Sequence, residues 1–289
     1  MLVLIVAKEP SFLSIRNFKN IITQSSVRAI IALGVAGLIV TQGTDLSAGR
    51  QVGLAAVISA TLLQASTNVN KVLDIGELPV IVAILVVIVV GMIIGSINGL
   101  IVAKLNVHPF IATLGMMTIV YGMNSLYYDS VGKASPISGF SKAYSNFAQG
   151  TIGSGSFSIS YLIIYAAIAT AIMWVLWNKT KFGKNVFAVG GNPEAAKVSG
   201  VNVTRTLVGI YALSGIYYAF GGLLEAGRIG SATNNLGNMY EMDAIAACVI
   251  GGVSFYGGVG KISGIITGVI ILQAVSYTHL RAHETDSYL

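Results

Sequence analysis

Long apolar segments alternate with short polar ones along almost the whole chain. Taking about 20 mainly apolar residues as one membrane crossing, the pattern predicts eight spans. They lie near residues 27–43, 51–66, 78–102, 109–128, 159–177, 206–226, 241–258 and 262–276. Because backbone groups find no water in lipid, we expect helices, or broken helices that line a cavity enclosed by protein. The fold class is therefore all-α, a polytopic transmembrane helical bundle.

Glycines at a helical spacing predict close packing between these spans. Gly91, Gly95 and Gly99 recur every four residues, as do Gly264 and Gly268. Small residues at this spacing let two helix backbones approach each other closely. We assign them packing and no chemistry.

Composition agrees with a membrane protein and excludes a soluble fold. Of the 289 residues, 54% are hydrophobic and 10% are charged, whereas soluble domains carry roughly 25% charged residues. Apolar segments recur along the chain and do not stop after the first one, which excludes a soluble secreted protein behind a signal peptide. The net charge is +6, and the 17 basic residues are scattered among apolar runs and gather in one interior loop. This pattern indicates membrane orientation rather than binding of nucleic acid.

That basic loop, between the fifth and sixth predicted spans, sets the orientation. It carries one acid, Glu194, and five basic residues: Lys179, Lys181, Lys184, Lys197 and Arg205. An excess of Lys and Arg marks a cytoplasmic loop. The same alternation puts Lys104 inside and residues 129–158 outside. Three basic residues near the start, Arg16, Lys19 and Arg28, would then lie outside, an exception that the larger loop charge outweighs.

Both ends of the chain differ from the rest. Residues 1–7 are apolar but too short to cross a membrane, and we interpret them as the end of an incomplete first helix. Residues 277–289 are polar after a clean apolar helix. We therefore predict a single transmembrane domain over residues 1–276 and a tail over 277–289 that is foreign or disordered.

The first polar interruption, TQGTDLSAGR at residues 41–50, separates two apolar runs. Such a break frees backbone groups, and Asp45 is costly inside a bilayer unless it faces water or a partner. Two interpretations stay open. The segment is either a tight surface loop with Asp45 as a helix cap, or part of the transport path with Arg50 as the charge partner of Asp45.

The second candidate, GGNPEAAKVSGVN at residues 190–202, lies in the basic loop. Asn192 suits a helix cap, Pro193 the first helical position, Glu194 the positive helix end and Gly200 a stop. These residues predict a short surface helix between two membrane spans. It is either a docking element for a cytoplasmic partner or an ordinary capped loop.

The third candidate, NMYEMD at residues 238–243, precedes an apolar run with two glycine pairs. Glu241 and Asp243 are two positions apart and point to different sides of a helix, so they make a poor acid and base pair. They either cap the helix or contact substrate, and the glycines indicate a discontinuous helix. Our candidates for the translocation path or for helix breaks are Asp45, Ser47, Asn98, Tyr240, Glu241 and Asp243.

Four segments together resemble the permease subunits of bacterial ATP-binding-cassette importers for monosaccharides, the ribose, xylose, arabinose and galactose group. They are GTDLSAGR at 43–50, INGLIVAKLNVHPFIATLGMM at 97–117, KFGKNVFAVGGNPEAAKVSGVN at 181–202 and YEMDAIAACVIGGVSFYGGVG at 240–260. The resemblance runs in order over residues 9–275.

The resemblance implies the fold of these permeases and a place in the bacterial inner membrane, in contact with lipid. It implies a coupling helix that fits a groove of a cytoplasmic ATPase, formed by Asn192, Pro193, Glu194, Ala195, Ala196 and Gly200. It also implies a second permease copy, forming a homodimer, and a periplasmic sugar-binding protein. ATP and magnesium would be bound by the ATPase, and this chain would hold no cofactor.

Candidate chemistry within the chain agrees with a transport subunit rather than an enzyme. The nearest approach to a phosphate-binding loop has Phe255 where glycine is required and Ile262 where serine or threonine is required. Energy must therefore come from a partner, and we predict alternating access driven by ATP. The alternative is an ion-coupled secondary sugar carrier, but such carriers usually place ionisable groups mid-membrane. The candidates here lie near span ends: Asp45, Glu225, Glu241 and Asp243.

A catalytic or metal site is not predicted. The single cysteine, Cys248, allows neither a disulfide within the chain nor a cysteine cluster. His279 and His283 have a helical spacing that fits a metal ion, but we do not expect a site in such a tail. The third histidine, His108, stands at a span boundary beside Pro109.

Overall fold

A computed structural model describes residues 15–132, 135–153 and 158–286, so the predicted incomplete helix at 1–7 lies outside the described residues. The helices are α1 Ile15–Val40, α2 Ala48–Leu62, α3 Val80–Leu105, α4 Pro109–Gly132, α5 Lys142–Gln149, α6 Tyr161–Lys179, α7 Lys181–Gly191, α8 Pro193–Val198, α9 Val203–Ile229, α10 Tyr240–Ile250 and α11 Ile262–Asp286. The strands are β1 Ile137–Ser138, β2 Thr151–Ile152, β3 Ile159–Ser160 and β4 Ser231–Ala232.

Five helices in the described part of the chain, α1, α3, α4, α6 and α9, are long and apolar enough to cross a membrane. The predicted helical bundle is thus confirmed, but three of the eight predicted spans are shorter helices. Span 51–66 is α2, with 15 residues. Span 241–258 is α10, with 11 residues, because the chain leaves the helix at Gly251. Span 262–276 is the apolar part of α11.

Helix α11 continues to Asp286 and so includes most of the predicted tail, while residues 287–289 lie outside the described part. The foreign origin of the tail stays a prediction.

Helix α9 lies at the centre of the bundle and packs against α1, α2 and α3. The glycine spacing on α3 explains the closest of these contacts. A Cβ at Gly91 would overlap the carbonyl oxygen of Gly215, and a Cβ at Gly95 would overlap that of Tyr211. The predicted close packing is confirmed here and between α10 and α11, where Gly264 faces Gly251. Small residues let the backbones meet without a layer of side chains.

The short strands gather on one side of the bundle. β1 pairs antiparallel with β4, so that Ile137 lies opposite Ala232, and β2 pairs with β3. The carbonyl oxygen of Leu63 accepts a hydrogen bond of 2.8 Å from the backbone N–H of Ser141. These bonds bring the end of α2, the α4–α6 connection and the end of α9 together. We call this the outer side.

The ends of α1 and α7 gather on the opposite side with the loop between α10 and α11. The backbone N–H of Gly258 donates to the carbonyl oxygen of Val40 at 2.9 Å. The basic loop with α8 lies on this side, which the positive-inside rule identifies as cytoplasmic. The chain is therefore a multi-pass membrane protein with its strands and its basic loop on opposite sides.

Candidate functional site

Two irregular segments interrupt the helices inside the bundle. We call residues 41–47, between α1 and α2, the first break, and residues 233–239, before α10, the second break. The second break runs against α2, since a Cβ at Gly49 would overlap the carbonyl oxygen of Gly237. Gly49 lies roughly 20 Å along α2 from its outer end. In a hydrocarbon layer of about 30 Å, the second break therefore reaches the middle of the membrane.

The first break is organised around the hydroxyl of Ser47. Its Oγ donates to Asp45 Oδ1 at 2.5 Å and accepts from Gln51 Nε2 at 2.9 Å and from Asn98 Nδ2 at 3.0 Å. We call Asp45, Ser47, Gln51 and Asn98 the Ser47 cluster, and all four are buried. The structure thus brings together three of the residues that the sequence singled out, and it ties the break to α2 and α3.

Gln51 was missed by sequence reasoning, although its position four residues after Ser47 on a helix was an available signal. Asp45 itself is fully buried. It accepts a hydrogen bond of 2.9 Å from the backbone N–H of Ser47. The N-cap position of α2 is occupied by Ser47 and not by Asp45. Asp45 Oδ2, Gln51 Oε1 and Asn98 Oδ1 have no hydrogen-bond partner among the described residues. Since buried acceptors are nearly always paired, the cluster has capacity for further donors.

The predicted pair of Arg50 with Asp45 is not formed. The Arg50 guanidinium instead donates to Asn238 Oδ1 at 2.7 Å and to Asn235 Oδ1 at 3.5 Å. It also lies 4.3 Å from the ring centroid of Tyr121 on α4. Because α2 begins at Ala48, Arg50 is on a helix face that meets the second break, while Asp45 turns toward Ser47 and Asn98.

A second polar network joins α1, α9 and α10. Arg28 forms an ion pair with Asp243, and its guanidinium lies 3.7 Å from the ring centroid of Tyr240. The Tyr240 hydroxyl donates to Glu225 Oε1 at 2.6 Å, and Arg228 donates to both oxygens of Glu225, at 2.9 and 2.8 Å. We call these five residues the Arg28 network. Two predicted candidates, Tyr240 and Asp243, therefore lie together.

Arg28 corrects the predicted topology. It was expected in an outer loop, but it lies within α1, where Asp243 neutralises its charge and the ring of Tyr240 covers it. Lys19 also belongs to α1, and its ammonium donates to Ser158 Oγ at 3.3 Å beside β3 on the outer side. Glu241 does not join the network and lies against Gly49 of α2.

The short helix predicted in the basic loop is present as α8. Asn192 Oδ1 accepts from the backbone N–H of Ala195 at 3.0 Å, and Pro193 occupies the first turn. Gly200 has a φ of +83°, the left-handed conformation that ends a helix. Ala196 is buried, whereas Glu194 and its other neighbours on α8 are exposed. The helix is thus held by its caps and presents nearly its whole surface.

The end of α7 connects this helix to the first break. Gln42 Nε2 donates to the carbonyl oxygen of Gly190 at 2.8 Å and to that of Tyr256 at 3.0 Å. A Cβ at Gly190 would overlap the carbonyl oxygen of Val40. Together with the bond from Gly258 to Val40, these contacts form what we call the Gln42 junction. It links α7 to both the first break and the loop after α10.

A helical membrane bundle with an irregular segment near mid-depth and an exposed capped helix on one side is typical of membrane transport permeases. Comparison with known families agrees. Residues 17–283 match the family described as branched-chain amino acid transport system, permease component. The chain belongs to this family and is a transport subunit rather than an enzyme.

Individual relatives extend over nearly the whole chain. It is 66% identical to the galactose/methyl galactoside import permease protein of Haemophilus influenzae and 68% identical to that of Escherichia coli, in each case over 96% of this chain and 82% of the relative. It is 39% identical to the ribose import permease protein of Bacillus subtilis, over 96% of this chain and 81% of the relative. No solved structure matches the chain. The predicted resemblance to sugar import permeases is confirmed.

Proposed function

We propose that this chain is the membrane-spanning permease of an ATP-driven importer for galactose, methyl galactosides or a related monosaccharide, in the bacterial inner membrane. Support for the substrate comes from relatives of that name at 66% and 68% identity. Support for the mechanism comes from one structural observation, the Gln42 junction, because it gives an exposed cytoplasmic helix a direct connection to the broken membrane helices.

In this proposal α8 is the coupling helix that a cytoplasmic ATPase binds. The docking segment comprises, in chain order, Asn192, Pro193, Glu194, Ala195, Ala196 and Gly200, of which Ala196 is buried and the others are exposed. The exposed charges of Glu194 and Lys197 and the apolar side chain of Val198, 90% exposed, give this helix both polar and apolar contacts to offer. ATP and magnesium bind to the ATPase, and this chain binds neither.

Movement of α8 passes to the membrane through α7. The two helices are separated by Asn192 alone, and α7 is anchored by Val186 and Val189, both buried. When the ATPase pulls α8, the carbonyl of Gly190 moves with it and draws on Gln42 and Val40. Both breaks are then displaced, the first directly and the second through α10. This is the alternating-access step, in which breaks rather than whole helices reshape the sugar path.

In the same proposal, each remaining partner contacts a different surface of the chain. The outer side, with α5 and the four strands, receives a periplasmic sugar-binding protein. A second copy of the chain completes the path as a homodimer, and lipid covers the exposed apolar faces. Helix α3 offers such a face, which consists of Ile81, Leu85, Val89, Ile93, Ile97 and Leu100.

Two of the four candidate carboxylates, Glu225 and Asp243, give an ion-coupled carrier no support. Glu225 is held by Arg228 and Asp243 by Arg28. Each charge is thereby balanced inside the protein, whereas a coupling ion requires a carboxylate that is free to bind it.

The experiment that tests this function is co-purification with the cognate ATPase in detergent, followed by galactose uptake in proteoliposomes with the binding protein. Glu194→Lys reverses the exposed charge at the start of α8 and is expected to abolish capture of the ATPase. Asp129→Lys makes the same change at an exposed position at the outer end of α4 and is expected to retain it. Equal capture by both variants would refute docking at α8. An assembled parent complex that hydrolyses ATP but imports no galactose would refute the proposal that galactose is the substrate.

A further inference from the structure

Polar side chains are exposed on the second break at a depth where lipid would be the surrounding medium. Asn235 and Asn238 are both exposed, and the neighbouring carbonyl of Leu236 lies against Gly53 of α2. Unpaired amides facing hydrocarbon are costly, and irregular backbone at membrane depth occurs where it is enclosed by protein or lines a water-filled cavity. These two side chains therefore face an aqueous space.

A cavity is present beside them. It has a volume of about 320 Å³ and is lined by polar groups of the second break, including Ser231, Thr233, Asn235 and Asn238. This volume falls at the lower end of the range of about 300–1,000 Å³ that is typical of small-molecule sites. A monosaccharide is a ligand of suitable size.

Arg50 fixes the orientation of both amides. Its guanidinium bonds to the Oδ1 atoms of Asn235 and Asn238, so the two Nδ2 groups, which have no acceptor among the described residues, are left as donors. Tyr121 holds the guanidinium from the other side at 4.3 Å. An aromatic ring loses little conformational freedom on binding, and the planar guanidinium is a pre-organised fork that loses less freedom per hydrogen bond than an ammonium.

We propose that Asn235 and Asn238, oriented by Arg50 and Tyr121, form a contact site for a neutral monosaccharide midway along the translocation path. The proposal rests on the proposed function and adds to it the residues that touch the sugar. Sugar hydroxyls accept from the amide Nδ2 groups and donate to the hydroxyls of Ser231 and Thr233.

Transport per ATP tests the proposal in the assembled importer. Asn235→Leu and Asn238→Leu keep the side-chain size and remove the amide. Each is expected to lower the number of sugar molecules imported per ATP hydrolysed by about fivefold, the effect of one lost hydrogen bond. Asn178→Leu is the control, because Asn178 is exposed at the cytoplasmic end of α6 and its one side-chain hydrogen bond within the described residues goes to the carbonyl oxygen of Trp174 on its own helix. A ratio unchanged in both variants would overturn the site.

Two other outcomes have separate meanings. Loss of the second permease copy in the variants would show that the amides join two copies, which also overturns the sugar site. A parent complex that imports no sugar while it hydrolyses ATP refutes the proposed function itself, whatever the variants do.

Thiol labelling supplies a measurement that does not depend on transport. The one cysteine of the chain, Cys248, is buried, so the parent gives a low background. Asn238→Cys is expected to react with a hydrophilic thiol reagent and to be protected by millimolar galactose during turnover. Reaction only with a lipid-soluble maleimide would place the side chain in lipid. Hydrophilic labelling that galactose does not slow would likewise contradict a sugar contact.

Discussion

The side-chain amide of Gln42, two residues beyond the end of α1, donates a hydrogen bond of 2.8 Å to the carbonyl oxygen of Gly190 at the end of α7. Gln42 has a φ of +61°, an uncommon conformation for a residue other than glycine. The backbone thus bears a conformational cost at the point where the cytoplasmic loop meets the first break. Such outliers persist only where surrounding contacts hold them. Here these contacts include the two bonds of the Gln42 side chain and a bond of 3.0 Å from its backbone N–H to the carbonyl oxygen of Ile39.

Gln42→Met keeps the length of this side chain and removes both hydrogen bonds. We expect the ATPase still to bind, since α8 is unchanged, but sugar import per ATP to fall about fivefold because the junction loses its direct link. The measurement is uptake and ATP hydrolysis in the same proteoliposomes. Gln24→Met is the matched control, because it breaks a single side-chain bond to Gln273 between α1 and α11. Equal import per ATP in Gln42→Met and the parent would show that the Gln42 side chain does not transmit the movement of α8 to the membrane helices.

Gly190 and its neighbour Gly191 offer a sharper comparison within one helix. A Cβ at Gly190 would overlap the carbonyl oxygen of Val40, whereas a Cβ at Gly191 would meet nothing within 4 Å. Gly190→Ala is therefore expected to displace α7 from the first break and to lower both stability in detergent and import. Gly191→Ala is expected to be tolerated. Thermal unfolding of the two variants beside the parent measures this, and a similar loss in both would mean that the close approach at Gly190 is unimportant.

The outer loop between α2 and α3 contains a pH-sensitive contact. Glu77 Oε1 accepts from the backbone N–H and from the Oγ of Ser66, at 2.9 and 3.0 Å. These bonds favour the charged carboxylate and lower the pKa of Glu77 from its ordinary value of 4.5. Because the folded-state pKa is lowered, the contact stabilises the loop fully above pH 4.5 and loses this effect as the pH falls through the lowered value.

Hydrogen exchange of the Ser66 amide, corrected for its intrinsic rate, is the corresponding measurement. Protection is expected to be constant from neutral pH down to about pH 5 and to fall in more acidic solution. Glu77→Gln keeps an acceptor that does not titrate, so its protection should not depend on pH in this range. A fall of the same size in Glu77→Gln would assign the effect to another group.

The elements that were predicted correctly are those that depend on local sequence pattern. Helices α3, α4, α6 and α9 follow from unbroken apolar runs, and α8 follows from Asn192 and Pro193 because capping is decided within a few residues. The second break was not predicted. It ends at Met239, whose φ of +66° is a conformation that residues with a side chain rarely adopt. No local feature of the sequence indicates this conformation.

Local sequence pattern also could not predict which side chains from distant segments contact each other. Asp45 and Arg50 are close in sequence and opposite in charge, yet Arg50 bonds to Asn238 across 188 positions. Ser47 and Asn98 were both selected, but nothing in the sequence indicated that they touch, since 51 positions separate them. Tertiary packing of α2 between α3 and the second break decides these contacts, and it depends on helix rotations that apolar periodicity does not fix.

The Ser47 cluster gives the last prediction, which separates the hydrogen bonds of Asp45 from its charge. Asp45→Asn keeps Oδ1 as an acceptor for the Ser47 backbone N–H and Oγ. Asp45→Ala removes it and leaves buried donors without a partner, at a cost of about 1–3 kcal/mol. We therefore expect Asp45→Ala to lower the thermal stability in detergent clearly and Asp45→Asn to lower it much less.

Sugar import by the same two variants completes the test. If the cluster only braces the first break, activity follows stability, and Asp45→Asn stays close to the parent. A stable Asp45→Asn that nevertheless fails to import would contradict a bracing role, because its hydrogen bonds to Ser47 are kept while its charge is lost. The negative charge itself would then be the property that transport requires, on a carboxylate whose second oxygen, Oδ2, has no partner in the described part of the chain.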